Sequence, residues 1–215
     1  MARNTFFSFD FDDVRAANIV RNSNVVRASE KKMAFRDHSL YERVKATDAS
    51  IKKAIDDGVE NTSVTVICTG GNTWASRWVR YEIAKSLERG NGLMVVDVDG
   101  VGLAPQPTKG PTPLDYMAAF PWTAQGAVAS LLGGSGFSLR EWNAATGSWT
   151  DFGMLSSISN SKASYPQSFV NGNSYKLSDK FNRRYHWNSA QLYFETYLNS
   201  VAEDVGHRRT GALWI

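Results

Sequence analysis

Residues 63–98 read SVTVICTGGNTWASRWVRYEIAKSLERGNGLMVVDV, and the change of period inside them decides the fold class. The opening run, 63–69, is β-branched and apolar on both faces, as a parallel strand covered on both sides requires. Gly70 and Gly71 then turn the chain into a stretch where Ala75, Val79, Ile83 and Leu87 recur every four residues, one apolar helical stripe. That stripe stops at Gly90-Asn91-Gly92, and a second apolar run, 93–98, closes on Asp97 and Asp99. Strand, helix, strand predicts an α/β fold with a parallel sheet flanked by helices.

The same alternation continues toward the N-terminus. Thr5–Phe9 reads as an opening strand, and Asp12 and Asp13 introduce a helix over 14–22 in which Val14, Ala17 and Arg21 fall at helical spacing. Asp48–Val59 reads as a second helix, with Ile51 and Ile55 four apart and Gly58 near its end. In the other direction Pro105, Pro107, Pro111 and Pro113 end the regular pattern. Residues 126–173, rich in Gly, Ser and Trp, read as hairpins rather than a linker, because Phe137, Trp142, Trp149 and Phe152 need burial. The last helix is expected over 189–205 with Leu192, Thr196 and Tyr197 facing inward. The reading is one domain over 1–215: an α/β core over 1–124, then a hairpin-rich elaboration and terminal helix over 125–215.

Composition removes several classes of function. The chain has 215 residues, 42% hydrophobic, enough for a sizeable core. Its one cysteine, Cys68, has no partner for a disulfide or a zinc site, so a reducing, cytoplasmic setting is expected. Residues 1–13 lack the pattern of a signal peptide, and no run of about 18 apolar residues suggests a membrane span. Net charge is +3, with 24 basic residues scattered among 21 acidic ones, so nucleic acid is not an expected partner. The pairs Lys31/Lys32, Arg183/Arg184 and Arg208/Arg209 read as solvated surface, and His38, His186 and His207 as structural or exposed. No metal and no bound cofactor is expected: the phosphate loop, the His-Glu-x-x-His pair and the Gly-x-Ser-x-Gly elbow are all missing.

One carboxylate stands out. A spacing of four puts Trp78 and Glu82 on one helical face, and Glu82 borders the stripe of Val79 and Ile83. A carboxylate turned toward a core is costly unless something compensates it. Spacing alone leaves two readings open: an ion pair with Arg15, Arg77 or another base at the domain edge, which is the simpler, or a ligand-facing acid. Position favours the second, since open α/β sheets collect ligands beyond the carboxyl ends of their strands. Here those ends are Ser8-Phe9-Asp10, Thr69-Gly70-Gly71-Asn72 and Asp97-Val98-Asp99. Gly70 offers either an amide for a phosphate or a simple turn, and the aspartates either hold a metal or cap loops, the second being the simpler reading.

Seven runs then carry a family likeness. They are Phe6-Phe7-Ser8-Phe9, DVRAANIVRNS at 13–23, NTSVTV at 61–66, RWVRYEI at 77–83, Gly90-Asn91, KGPTPLDY at 109–116, and the hairpin from Glu141-Trp142 to Gly147-Ser148-Trp149. In that order they resemble the TIR-like proteins of the Thoeris antiphage system, the ThsB type, over most of the chain, more weakly after about Asn160. The resemblance implies a flavodoxin-like TIR fold and a substrate, NAD, whose nicotinamide glycosidic bond is cleaved on phage infection to give a cyclic ADP-ribose isomer. That diffusible messenger would activate a partner effector. Glu82 matches the family's catalytic glutamate, and Phe7, Ser8 and Phe9 match the strand end lining the same pocket. Stacking of Phe7, Phe9 or Trp78 on a ring of the substrate is one source of affinity, although each such residue is also ordinary core material. A phage protein as trigger and a neighbouring copy completing the pocket belong to the same expectation. Asp10 and Asp97 stand where family members often carry histidine, a difference that bears on which product forms.

Three other readings remain at this stage: a TIR-like scaffold without catalysis, a receiver-like domain suggested by Asp12 and Asp13, and a nucleoside deoxyribosyltransferase-like enzyme. The receiver reading lacks a phosphate-accepting aspartate where the central strand ends in Cys68-Thr69.

Overall fold

A computed structural model describes residues 4–23, 47–101, 110–123, 134–160, 165–170 and 172–207. In chain order the elements up to the third strand are β1 (Thr5–Phe9), α1 (Val14–Arg21), α2 (Asp48–Val59), β2 (Val64–Thr69), α3 (Arg77–Arg89) and β3 (Gly92–Asp97). Then come β4 (Met117–Thr123), β5 (Ser135–Asn143), β6 (Ser148–Asp151), β7 (Ser157–Ser159), α4 (Gln167–Val170), β8 (Tyr175–Lys176) and α5 (Leu177–Lys180). The chain ends with β9 (Arg184–His186), α6 (Trp187–Ala190) and α7 (Phe194–Asp204). Pro105, Pro107, Lys31, Lys32, His38, Arg208, Arg209 and the start of the hairpin-rich stretch, 126–133, lie outside the described residues.

The quoted stretch forms the unit expected of it. β2 lies between β1 and β3, all parallel, with Ser8 opposite Ile67 and Ile67 opposite Val95. Every residue of β2 is buried, because helices cover both faces of the sheet. Alternation sends Val66, Cys68, Met94 and Val96 into one layer with Ala17 and Val20 of α1 and Phe194, Leu198 and Val201 of α7. Phe6, Ile67, Leu93 and Val95 point the other way, onto Ile51, Ile55 and Val59 of α2 and Val79, Ile83 and Leu87 of α3. This is the parallel α/β architecture of the flavodoxin-like TIR fold.

A second, antiparallel sheet runs β6-β5-β4-β8, with β7 also paired to β5. Its apolar residues Met117, Ala119, Phe137, Leu139 and Ile158 share one buried cluster with α3. Helix α3 is therefore covered on more than one side, and Trp78, Val79, Tyr81, Ile83, Ala84 and Leu87 are all buried. The single stripe expected from the sequence understates this. Ala75 does not belong to it: it is exposed in a 3-10 turn, Thr73–Ala75, and Ser76 is extended at φ −66°, ψ 119° before the helix begins.

Three other expectations are corrected. A boundary at 124 does not separate the two layers, because β4 pairs within the antiparallel sheet while β9 pairs in parallel with β3. The hairpins are thus an insertion between β3 and β9, and the chain returns to complete the parallel sheet. The last helix begins later than expected, after α6 and a 3-10 turn over Gln191–Tyr193. That turn shifts the helical phase, leaving Leu192 83% exposed, Thr196 exposed and Tyr197 half-buried, while Phe194, Leu198, Val201 and Ala202 face inward. Finally, Trp142 and Trp149 are only half-buried and pack edge to face at 5.4 Å, whereas Phe137 and Phe152 are core.

Close approach of α7 to the sheet depends on Gly92. A Cβ there would lie 2.4 Å from the Val201 carbonyl oxygen, which cannot swing aside as a side-chain tip can. Gly92→Ala is expected to cost about 1–3 kcal/mol in a urea-unfolding measurement. Gly71→Ala, whose Cβ would meet nothing within 4 Å, should stay within about 0.5 kcal/mol of the parent chain.

Candidate functional site

Glu82 lies in the second turn of α3, pressed against β1 with 3% of its surface exposed. Ser8, fully buried on the facing strand, donates its hydroxyl proton to Glu82 Oε2 at 2.5 Å. That contact assigns the faces of β1. With Ser8 toward α3, the period of two turns Phe7 and Phe9 into the opposite layer, among Ala17, Val20, Val66 and Cys68. The structure therefore brings Ser8 to Glu82 and separates Phe7 and Phe9 from it, against the expectation that all three line one pocket. Trp78 is likewise core: it packs with Phe6 and Ile51 and meets Tyr81 edge to face at 6.2 Å.

A chain of donors pins the backbone of the same helix. Asn91 Nδ2 donates to the Thr65 hydroxyl (3.2 Å), Thr65 to the Ser86 hydroxyl (2.7 Å), and Ser86 to the main-chain carbonyl of Glu82 (2.7 Å). Each group is buried, so each bond satisfies an atom that water does not reach. Arg77, one of the expected partners of Glu82, bonds Asp48 at 2.8 Å and lies over the Trp78 ring at 4.6 Å; Arg15, another, is exposed.

The remaining predicted residues sit at the carboxyl ends of the strands, each with a structural partner. Asp10 accepts the Asp12 N–H at 3.2 Å and caps the 3-10 turn Phe11–Asp13. The Gly70 N–H donates to the Thr73 hydroxyl (2.8 Å) and to Asp13 Oδ2 (3.1 Å), so it is already engaged by protein oxygens. The Thr73 hydroxyl also donates to Asp13 Oδ2, and a Cβ on Gly70 would fall 1.8 Å from Asp13 Oδ1. Asp13 occupies the N-cap position of α1 but makes no cap bond with its side chain. Its carboxylate instead joins the end of β1 to the turn leading into α3. Burial pushes the Asp13 carboxyl above the usual range, only partly offset by Thr73 and Gly70, and Asp10 and Asp99 push the same way.

Asp97 is buried and accepts the Thr69 hydroxyl at 3.1 Å. Both of its oxygens also accept from Arg184: Nε lies 3.0 Å from each, and Nη2 lies 2.6 Å from Oδ1. The register puts Arg184 opposite Val95, on the same face as Asp97, with its side chain only 22% exposed. Arg184 is thus not the solvated residue its sequence neighbourhood suggested, while Arg183 forms a half-exposed pair with Asp204 at 3.1 Å. Asp115 also feels this cation. Burial pushes its carboxyl up, but the Thr112 N–H and hydroxyl, the Ser178 hydroxyl and the charge of Arg184 hold it below the usual range.

Arg80, two residues before Glu82, faces another side of the helix. It bonds Glu141 of β5 at 2.8 Å and the Trp74 carbonyl at 3.1 Å, and the Trp74 and Tyr116 rings meet at 4.9 Å. The inserted sheet therefore grips the start of α3. Sequence reading did not single out Arg80, Arg184 or Asp13 for these roles, because Glu141, Asp97 and Gly70, which they bond in turn, are 57 to 87 residues away along the chain. His186 caps α6 by accepting the Asn188 N–H at 3.2 Å, so Nε2 carries the proton toward the Asp99 carbonyl at 3.1 Å. His207 reaches the Gly90 carbonyl at 2.8 Å. Among the described residues no three His, Cys, Asp or Glu side chains converge as metal ligands.

Chemically, the centre is a carboxylate sheltered from water, with one oxygen held by a fixed donor. Such a group stabilises positive charge developing close to it, because a low-dielectric setting strengthens the attraction and little reorganisation is needed.

Residues 6–102 match the family model described as Thoeris protein ThsB, TIR-like domain. A protein of Bacillus cereus (strain MSX-D12), named "Putative cyclic ADP-D-ribose synthase ThsB1", is 32% identical over 206 residues, 93% of this chain and all of that protein.

Asp13 makes stability depend on pH in a defined direction. Its carboxyl titrates above its ordinary value of 3.8 in the folded chain, so the folded state holds the proton more tightly than the unfolded state. The stabilisation is fully present below that ordinary value and is lost as pH rises through the folded value. Urea midpoints of the parent chain are expected to fall relative to those of Asp13→Asn as pH is raised from about 4, and parallel curves would refute this.

Proposed function

Since the chain belongs to the TIR-like ThsB family of the Thoeris system, we propose that it is an antiphage enzyme that cleaves NAD and makes a cyclic ADP-ribose isomer. The observation that carries this reading is Glu82, buried on α3 and bonded by Ser8 at the carboxyl end of β1. It stands within the matched residues, and the matching relative's name describes this kind of synthesis.

The chemistry follows from the group. When the bond between the ribosyl carbon and nicotinamide breaks, its electron pair leaves with nicotinamide and positive charge develops on the ribosyl ring, as in glycoside hydrolysis. The Glu82 carboxylate stabilises that charge and accepts ribose hydroxyls. A second nucleophile of the same ADP-ribose, a ring nitrogen or a hydroxyl, then forms the new bond to that carbon and releases its proton where it carries one. Closure has to exclude water, and a neighbouring copy of the chain is one means of providing it. The product diffuses to a partner effector, and a phage component supplies the cue for synthesis.

Loss of a preorganised electrostatic group costs roughly 3–4 kcal/mol of barrier, a hundredfold or more in rate. Glu82→Gln is accordingly expected to remove the NAD-derived product from extracts of phage-challenged cells, read by mass spectrometry beside the parent chain. If cells carrying the parent chain are protected while their extracts hold no NAD-derived species, a TIR-like scaffold without catalysis replaces this reading.

A further inference from the structure

The Asp97–Arg184 pair joins β9 to β3, but apolar side chains would do so without the cost of desolvating two charges. The pair stands at the carboxyl end of β3, where open α/β sheets collect ligands. Asp97 engages one edge of the guanidinium, through Nε and Nη2. Nη1 bonds none of the described residues and is not closed off from solvent. Asp115 nearby accepts the Thr112 N–H and hydroxyl on Oδ2, at 2.7 and 2.9 Å, rather than the guanidinium.

On the NAD-cleaving reading above, on which this rests, we propose that Arg184 binds the diphosphate of NAD through its Nη1 edge while Asp97 holds the guanidinium in place. Ser8, Ile67, Val95 and Arg184 are paired in one row across the parallel sheet, so Arg184 lies on the face that carries Ser8 and Glu82. Three strand spacings, about 14 Å, separate the ends of that row, and Arg184 leans back over one of them to reach Asp97 of β3. The remaining gap, about 10 Å, is one that a ribosyl phosphate bridges, with the diphosphate one sugar away from the bond that breaks. A guanidinium is planar, always charged and weakly hydrated, and it forks onto paired phosphate oxygens as a lysine amine does not. The carboxylate locked on its other edge removes in advance the torsional freedom that so long a side chain would lose on binding.

A contact made alike in the ground and transition states moves KM and leaves kcat. Removing Arg184 alone would strand the buried Asp97, so Asp97→Asn is combined with Arg184→Gln, which keeps a hydrogen-bonding pair without either charge. In desalted extracts of phage-challenged cells where the parent chain releases nicotinamide from added NAD, this double variant is expected to raise KM for NAD about ten- to a hundredfold, with kcat within about threefold. Inhibition by ADP-ribose, which carries the diphosphate, is expected to weaken by the same factor. Inhibition by nicotinamide riboside, which has no phosphate, should stay within about twofold, because a phosphate contact, unlike a loosened site, leaves it alone. An unchanged KM in the folded double variant overturns the proposal and leaves the NAD reading intact. Equal weakening of both inhibitors, or a fall in kcat with KM held, overturns it too. If the double variant does not fold, Arg184→Lys takes its place, keeping the charge and losing the fork. Weaker inhibition by ADP-ribose alone then supports the contact, and unchanged inhibition by ADP-ribose refutes it. Absence of turnover by the parent chain in those extracts removes the NAD reading itself, and this proposal with it.

Discussion

A carboxylate cannot be shut between a sheet and a helix without a donor, and the bond from Ser8 to Glu82 is the constraint around which the rest of this molecule is arranged. For Glu82 to be buried, α3 must be covered on several sides, and the parallel sheet alone covers one. Helix α2 and the antiparallel sheet supply the others, through Ile51, Ile55, Phe137, Leu139 and Ile158. For the carboxylate to keep its direction, the helix must not rotate about its own axis. The bonds from Asn91 through Thr65 and Ser86 to the Glu82 carbonyl oppose rotation from within, and Arg80, bonded to Glu141 and the Trp74 carbonyl, opposes it from outside.

Inserting a second sheet between β3 and β9 creates a topological demand. The chain has to come back to the parallel sheet, and the returning strand spans only Arg184–His186. So short a strand has little backbone pairing to hold it. The Asp97–Arg184 fork compensates: a bidentate guanidinium pair with both carboxylate oxygens engaged joins neighbouring strands more firmly than a surface ion pair does. The geometry also explains why Arg183 differs from Arg184, since alternation leaves one residue of the pair on the covered face and the other near solvent.

What the sequence discloses about this fold is what local periodicity can carry. The run 63–98 names its strand, helix and strand, and Asp48–Val59 emerges with the bounds expected because its pattern and cap are local, with Thr47 accepting the Ser50 N–H. Glu82 was legible as a carboxylate beside an apolar stripe. The rest depends on contacts that period does not encode. Arg184 gains its meaning from a register with β3, Asp13 from a turn that follows β2, and the face of Phe7 and Phe9 from which neighbour Ser8 meets. The phase of α7 was lost to a three-residue turn of tighter pitch, which helical spacing counted through its start does not detect.

Asp10 and Asp97, at the ends of β1 and β3, take on a different meaning once their partners are known. Asp10 spends an oxygen on the cap of a turn, and Asp97 has both oxygens committed to Arg184 and one also to Thr69. Asp97 instead orients the Arg184 guanidinium, which lies on the face of the sheet that carries Ser8 and Glu82. The pair ties the end of β3 to the strand that closes the sheet.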